Sequence, residues 1–418
     1  MYGTLKGMRI VEGASFIAAP SCCLHLLQLG AEVIRFDMIG GGPDFGRWPR
    51  IPGGASLYWQ GLNKGKKSLA IDLSRPEGRD LAVAVATAPG EAGGLFVTNY
   101  PAKGFLAHER LAAHRPDMIT LRVAGWPDGR NAVDYTINAV TGLPLMTGPQ
   151  TAADAPVNHV LPAWDLMAGA YGAFALLAKE RERRLTGAGG EILVPLSDVA
   201  AACLGHLGQI AEVAVTGHDR PRHGNHLFGA FGRDFRTRDG RSVMLVAITP
   251  RQWSGLVAAL GLRAEIDALE GSLGVSFATD EGERFRHRDR IVALVEPAVA
   301  GRGADELLAA LEAAGAGGSP YRTTLEAVRD EPGFVRGNPL FEEVDHPGGH
   351  RYPTPGAAAT LVGTPRGAVP AAPRLGQHTD EILAGLLGLP DHAIARLHDT
   401  GIVAGPRPLS GAGQGESR

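Results

Sequence analysis

One carboxylate stands at the head of an apolar helix in the stretch VNHVLPAWDLMAGAYGAFALLAKERERRLTG, residues 157–187. Residues 163–178 are almost all apolar or small, and Asp165 is the single charged side chain among them, just after Pro162. An acid in the first turn of a helix ordinarily complements the helix dipole and caps free N–H groups. The same acid, partly desolvated and kept ionised by the dipole, can act as a nucleophile. Spacing alone leaves both roles open. A second cluster lies in GLNKGKKS, where Asn63, Lys64, Lys66 and Lys67 crowd one loop and Ser74-Arg75-Pro76-Glu77 reads as a capping box opening the next helix. A helix N-terminus beside lysines suits a phosphorylated ligand, and a solvated basic loop fits the same residues.

The usual nucleotide fingerprints are absent. Gly13-Ala14-Ser15-Phe16-Ile17-Ala18 lacks the second and third glycines of a dinucleotide loop, and Gly40-Gly41-Gly42 follows the second strand instead of the first. GLNKGKKS is one residue short of a P-loop and precedes a strand, whereas a P-loop follows one. Neither a standard NAD fold nor ATP hydrolysis is expected.

The elements that must position these groups alternate. Residues 9–14, 31–38, 68–73, 94–100 and 118–125 read as buried strands, and residues 20–30, 76–88 and 103–114 as the helices between them. That pattern implies a parallel sheet covered on both faces, with ligands at the carboxyl ends of its strands. The apolar helix from Ala163 has no polar face and so should be buried on every side. Pro162 opens it; Lys179, Arg181, Arg183 and Arg184 gather before Gly187 at its end. After it come a strand at 191–196 and a helix at 199–215 capped by Ser197-Asp198. From 216 to about 320 the chain changes character, with a hairpin across 235–248 turning on Asp239-Gly240 and helices near 252–260, 280–295 and 305–314. The turn His346-Pro347-Gly348-Gly349 and short helices at 380–387 and 392–398 follow.

The chain of 418 residues, 44% hydrophobic and 20% charged, is large enough for two or three domains. Its net charge of -3 gives no long-range attraction to nucleic acid or anionic lipid. Cys22, Cys23 and Cys203 form neither a disulfide framework nor a zinc-site spacing, which points to a reducing cytoplasm. No span of about eighteen apolar residues occurs, so no membrane partner is expected.

The series KGMRIVEGASFIAAPSCCLHLLQLGAEVIRFD, GLNKGKKSLAIDLSRPEG, FVTNYPA, VDYTINAVTGLPLMTG, LPAWDLMAGAYGAFALLAKERERRLTGAGGEILVPLSDV, FRTRDGRSVMLVAI and LGQHTDEILAGLLGL resembles the class III CoA-transferase (CaiB/BaiF) family over nearly the whole chain. The resemblance implies an α/β fold: a Rossmann-like large domain lacking a dinucleotide fingerprint, a smaller α+β domain, and an interlocked dimer of two ring-shaped subunits. The expected division is 1–215 for the large CoA-binding and catalytic domain, 216–320 for the small domain, and 321–418 for a segment returning to the large one. GGGPDFGRWP, VDYTINAVTGLP and NHVLPAWD carry a nearer likeness to a branch that moves CoA between the two carboxyls of one C5 dicarboxylate.

Carried over by position, the family's nucleophilic aspartate falls on Asp165. Its CoA contacts fall on Ile17 and Ala18, on Ile71, Asp72, Leu73 and Ser74, and on Asn99, Tyr100 and Pro101. The family's common arginine is replaced by Pro101, with Lys103 or Arg110 as substitutes. The resemblance implies an acyl-CoA thioester as substrate, with no separate cofactor and no metal. A developing oxyanion would need donors, expected from N–H groups at the start of the Asp165 helix, and the free carboxylate a cation, with Arg47, His159, Arg222 and Arg233 as candidates. Acyl-CoA racemases share the fold but place a histidine directly before the aspartate of the D-x-x-x-x-A-x-x-G segment. Here Val133 precedes Asp134, so one of the two bases that 1,1-proton transfer requires is missing.

Overall fold

The computed structural model describes residues 1–51, 56–101, 103–152 and 155–406. The chain forms two compact units, one of Met1–Thr141, Val160–Ala211 and the chain from Val335 onward, the other of Gly142–His159 and Glu212–Phe334. In chain order the first stretch runs β1 (Arg9–Gly13), α1 (Ala18–Gln28), β2 (Glu32–Met38), α2 (Leu57–Asn63), β3 (Lys67–Ile71), α3 (Pro76–Ala86), β4 (Leu95–Thr98), α4 (His108–His114), β5 (Ile119–Ala124) and α5 (Asp134–Val140). Next come α6 (Leu143–Met146), in the second unit, and α7 (Ala163–Thr186), β6 (Gly190–Pro195), α8 (Leu196–His206) and α9 (Gln209–Thr216).

The apolar runs of β1 to β5 are buried on both faces, as strands in a covered parallel sheet must be. With β12 (Val403–Ala404) they and β6 form one sheet in the order β12-β3-β2-β1-β4-β5-β6, parallel except for β12. The chain starts in the middle, winds outward through β2 and β3, then crosses back to β4. Phe36 and Phe96 stack in its core with ring centroids 6.2 Å apart.

Helix α7 ends on Gly187 at φ 75, the left-handed position a glycine adopts without a Cβ penalty. Two further glycines let it lie against α1. A Cβ on Gly169 would collide with Ser21 Oγ and the Ala18 carbonyl, and one on Gly172 would sit 3.2 Å from Cys22 Sγ. The expectation that this helix is buried on every side is not met: α1 covers one face, while Met167 and Phe174 remain exposed. The single helix expected over 199–215 is two, because Gly208 at φ 75 ends the first and α9 restarts beyond it. Its cap differs too, since the helix begins at Leu196, before Ser197-Asp198.

The returning segment supplies the hairpin β10 (Phe341–His346) and β11 (His350–Pro355), helices α16 (Thr379–Gly385) and α17 (Asp391–Asp399), and β12. The second unit holds an antiparallel sheet of β7 (Phe231–Arg236), β8 (Ser242–Ala247) and β9 (Gly317–Pro320), with Gly240 at φ 77 in the β7–β8 turn. Helices α10 (Pro250–Leu260), α11 (Arg263–Leu273), α12 (Glu281–Arg286), α13 (Arg288–Ala300), α14 (Ala304–Ala313) and α15 (Thr324–Asp330) accompany it, around Phe231, Trp253 and Phe277.

The unit boundaries fall at Ala211/Glu212 and Phe334/Val335, not at 215/216 and 320/321, and Gly142–His159 joins the second unit. Contacts account for two of these three changes. Arg222 donates to the carbonyls of Leu145, Pro144 and Ala155, tying that excursion to the second unit, and Tyr321 donates its N–H to Ser242 O at the edge of β8. No single helix among the described residues is long and apolar enough to cross a membrane.

Replacing Gly169 with Val should lower stability by about 1–3 kcal/mol through overpacking. Urea unfolding reads this directly; an unchanged midpoint would show that α1 and α7 are not in close contact there.

Candidate active site

In an open parallel sheet the ligand crevice opens where adjacent strands lead off in opposite directions, here between β1 and β4 at their carboxyl ends. A side-chain latch spans that point. Asn99 Oδ1 accepts from Ser15 N at 3.0 Å, and Asn99 Nδ2 donates to Ser15 O at 2.8 Å. The next residue, Phe16, has φ 68, a backbone conformation costly for an aromatic residue unless its surroundings impose it. Asp44 imposes it by accepting from Phe16 N at 3.0 Å.

Asp44 is itself fixed by a buried charge network. Arg35 forms a two-pronged pair with Asp37 at 2.7 and 2.8 Å, bonds Glu12 at 2.8 Å and reaches Asp44 at 3.3 Å. Lys66 Nζ donates to Glu12 Oε2 at 2.6 Å, to Asn63 Oδ1 at 2.9 Å and to Pro20 O at 3.0 Å. Both cations are essentially inaccessible. Burial works to lower the Arg35 pKa, but Asp37 and Glu12 overcome it and raise it well above the usual value. This network corrects the phosphate-site reading of GLNKGKKS. Lys66 neutralises Glu12, Lys64 is buried with its amine on Gly61 O, and Lys67 pairs with Glu32 and Glu381. The capping box is not formed either, because Ser74 turns to Asp72 Oδ1 and Arg75 occupies the cap position without a side-chain bond.

The arginine turn follows from the same anchor. Arg47 N donates to Asp44 O at 3.1 Å, and the Arg47 guanidinium lies over the rings of Phe16 and Tyr58 at 5.6 and 5.4 Å. Tyr58, on α2, keeps its hydroxyl buried without a hydrogen-bond partner among the described residues. Burial raises its pKa; Arg47 opposes and Asp165 adds to the rise.

Asp165 sits in the first turn of α7, half-buried, and its carboxylate accepts no hydrogen bond among the described residues. Burial first, and the Asp134 carboxylate second, push its pKa up to about 7 against the opposing charge of Arg47. The expected hold of the helix dipole on the ionised form is thus outweighed. The N–H groups at the head of α7 are already engaged: Ala163 N with Leu161 O, Trp164 N and Asp165 N with Asp134 Oδ2, and Leu166 N with Pro162 O. The expectation that they serve a substrate oxyanion is therefore overturned; Asp134 has taken two of them.

An unbonded, desolvated carboxylate beside an arginine, at the switch point of a sheet without a nucleotide loop, suits acyl transfer onto the carboxylate. The model of CoA-transferase family III matches residues 5–379. The chain belongs to CoA-transferase family III. It is 50% identical over 407 residues, 97% of this chain and 99% of the relative, to 2-methylfumaryl-CoA isomerase of Chloroflexus aurantiacus. It is 27% identical to human succinyl-CoA:glutarate CoA-transferase, covering 96% of this chain and 90% of that one. A CAIB/BAIF family protein from Brucella suis shares the fold, with TM-score 0.74 and 23% identity over 92% of this chain and all of that one.

The sites inferred for a family III CoA-transferase are distributed as follows. Ile17 and Ala18 lead into α1 behind Phe16, Ile71 ends β3 with Asp72, Leu73 and Ser74 following, and Asn99, Tyr100 and Pro101 follow β4. All three groups leave carboxyl ends of parallel strands in one unit, together with Asp165 and Arg47. Lys103 is exposed; Arg110 lines a cleft of about 490 Å³ with Asp80, Thr87, Phe105 and His114. His159, Arg222 and Arg233 lie in the second unit. Both His159 ring nitrogens are shielded without a hydrogen-bond partner among the described residues; Arg222 donates through Nε and Nη2 to three carbonyls while its Nη1 is buried without a partner among the described residues, and Arg233 donates to Asp234 O. Asp134, Tyr58 and Asp44 were not singled out by sequence as site residues. The signals available were the D-x-x-x-x-A-x-x-G segment headed by Asp134, with Asn138 one helical turn on, and GGGPDFGRWP around Asp44.

Because the Asp165 carboxylate is lost as pH falls through about 7, kcat/KM should drop roughly tenfold per pH unit below that point. Replacing Arg47 with Met removes the opposing charge and should move this acid limb to higher pH. A limb that stays put would show that Arg47 does not act on the Asp165 carboxyl.

Proposed function

We propose that this chain is a 2-methylfumaryl-CoA isomerase, an intramolecular CoA-transferase that converts 2-methylfumaryl-CoA (mesaconyl-C1-CoA) to 3-methylfumaryl-CoA (mesaconyl-C4-CoA). The observation that carries the reading is the 50% identity, across nearly both full lengths, to the Chloroflexus aurantiacus isomerase. The unbonded Asp165 carboxylate supports it from the side of chemistry.

Asp165 attacks the C1 thioester carbonyl, CoA leaves as thiolate, and an aspartyl–mesaconyl mixed anhydride forms. The thiolate then attacks Asp165 Cγ, releasing the C1 carboxylate and leaving an aspartyl-CoA thioester. The C4 carboxylate of the same molecule attacks that thioester, expelling thiolate and forming the second anhydride. Thiolate attack at C4 completes the product and frees Asp165. Every step exchanges one activated acyl bond for another, and substrate and product are both thioesters, so the cycle runs in both directions and calls on no metal, ATP or redox group. In this reading Arg47 neutralises a substrate or leaving carboxylate, and the loops after β1, β3 and β4 hold the CoA moiety.

The chain is further proposed to work in the cytoplasm as an interlocked homodimer. Three unpaired cysteines fit a reducing compartment. The exposed apolar side chains Met167 and Phe174 on α7, Leu207, and Ile210, Val213 and Val215 on α9 fit a surface that another subunit covers. A second reading, transfer between two different acids, is favoured by the 27% identity to succinyl-CoA:glutarate CoA-transferase.

Incubating the protein with mesaconyl-C1-CoA and no added acid should yield the C4 thioester. Turnover only on adding a second carboxylic acid would replace the isomerase with the intermolecular enzyme. Asp165→Asn should abolish turnover with thermal unfolding unchanged or raised, and hydroxylamine should trap the wild type at the peptide containing Asp165. Full activity in Asp165→Asn would remove the covalent route.

A further inference from the structure

Asp134 opens α5, is only 1% exposed, and points its carboxylate at the head of α7, an element to which it is joined only through space. Its Oδ2 accepts from Trp164 N at 2.7 Å and from Asp165 N at 3.1 Å. One turn further along α5, Asn138 Oδ1 accepts from the Trp164 indole N–H at 3.2 Å. The helix has no cap of its own: Pro162 stands at the cap position without a side-chain bond. An acid in the first helical turn is ordinarily stabilised by the free N–H groups there. Here they are occupied by another carboxylate, whose Oδ1 is buried without a hydrogen-bond partner among the described residues.

We propose that Asp134 is a positioning residue for the nucleophile: by capping α7 in place of Asp165, it leaves the Asp165 carboxylate unbonded and facing a like charge. This inference rests on the reading of Asp165 as nucleophile and adds the group that prepares it. The free carboxylate is destabilised by its neighbour, whereas the neutral anhydride and thioester are not. Relief of that repulsion accompanies acylation and favours attack. The groups that bear on the Asp165 charge are Asp134 from α5 and Arg47 from the turn after β2, while Tyr58 on α2 is coupled to it, to Asp44 and to Tyr135. Of the two named for Asp165 itself, Asp134 is the negative one.

Asp134→Asn keeps an oxygen for the two N–H groups and removes the charge. Its acid limb in kcat/KM should move about one unit toward lower pH, and its rate above the limb should fall about tenfold. Thermal unfolding checks that α7 stays capped. A purely structural role would not move the limb, so an unmoved limb in a folded variant overturns the proposal. The two readings fail separately. If Asp165→Asn is inactive and Asp134→Asn is unshifted, only the present one falls; if Asp165→Asn is active, the nucleophile falls. In that case the positioning role falls with it; with the nucleophile standing, ¹³C NMR titration of the Asp165 carboxyl in wild type and Asp134→Asn reads the same shift directly, to lower pH if the proposal holds and none if it does not.

Discussion

Arg35 is the group on which the catalytic half of the molecule hangs. Its guanidinium joins Glu12 of β1, Asp37 of β2 and Asp44 of the following turn, and Lys66 completes the cluster from the approach to β3. Two buried cations face three buried acids. Desolvation of such a set roughly cancels its Coulombic gain, so it contributes geometry more than stability. The geometry is what the site uses. Asp44, held at its edge, fixes Phe16 in its left-handed conformation on one side and starts the Arg47 turn on the other. Burial raises the Asp44 pKa and Arg35 pulls it back, so that one pair keeps the loop after β1 and the arginine turn in register.

At the other side of the site the same economy appears with fewer groups. A helix of twenty-four residues enters the crevice with two acids at its head, and they divide the work. One satisfies the backbone and is buried; the other keeps its carboxylate unbonded among the described residues. Helix N-termini usually stabilise the anion they face, but the carboxylate that bonds the N–H groups here is Asp134, while Asp165 feels burial and repulsion.

Much of the large unit was legible because its signals are local. Strands β1 to β5 announce themselves as short apolar runs between glycine- or proline-marked turns, and α7 by Pro162 at one end and Gly187 at the other. The carboxyl-end loops and Asp165 followed from that order together with the family resemblance. What escaped depended on partners distant in sequence. Lys64 and Lys66 read as a basic loop because nothing local shows that Glu12 waits for one of them. Ser74 read as a cap because its competitor, Asp72, is equally good company for a hydroxyl. Asp134 had no local sign of its target thirty residues on. The small helix α2, which carries Tyr58, lies in a segment whose glycines and lysines suggest a loop. The unit boundaries moved for the same reason: a single buried arginine, Arg222, decides where residues 142–159 belong.

The edge of the large sheet carries a further consequence. Strand β3 pairs with β12, and Arg75 donates to Thr400 O across 325 residues of sequence. A chain emerging from the ribosome therefore presents the loop after β3 long before the partner that borders it has been synthesised. The second unit's 212–334 stretch, an uninterrupted run holding all three of its strands, can collapse first, while the sheet that surrounds it in sequence waits with an open flank. Pairings of such high sequence separation form slowly, so the large sheet keeps an open edge at β3 until β12 has been made.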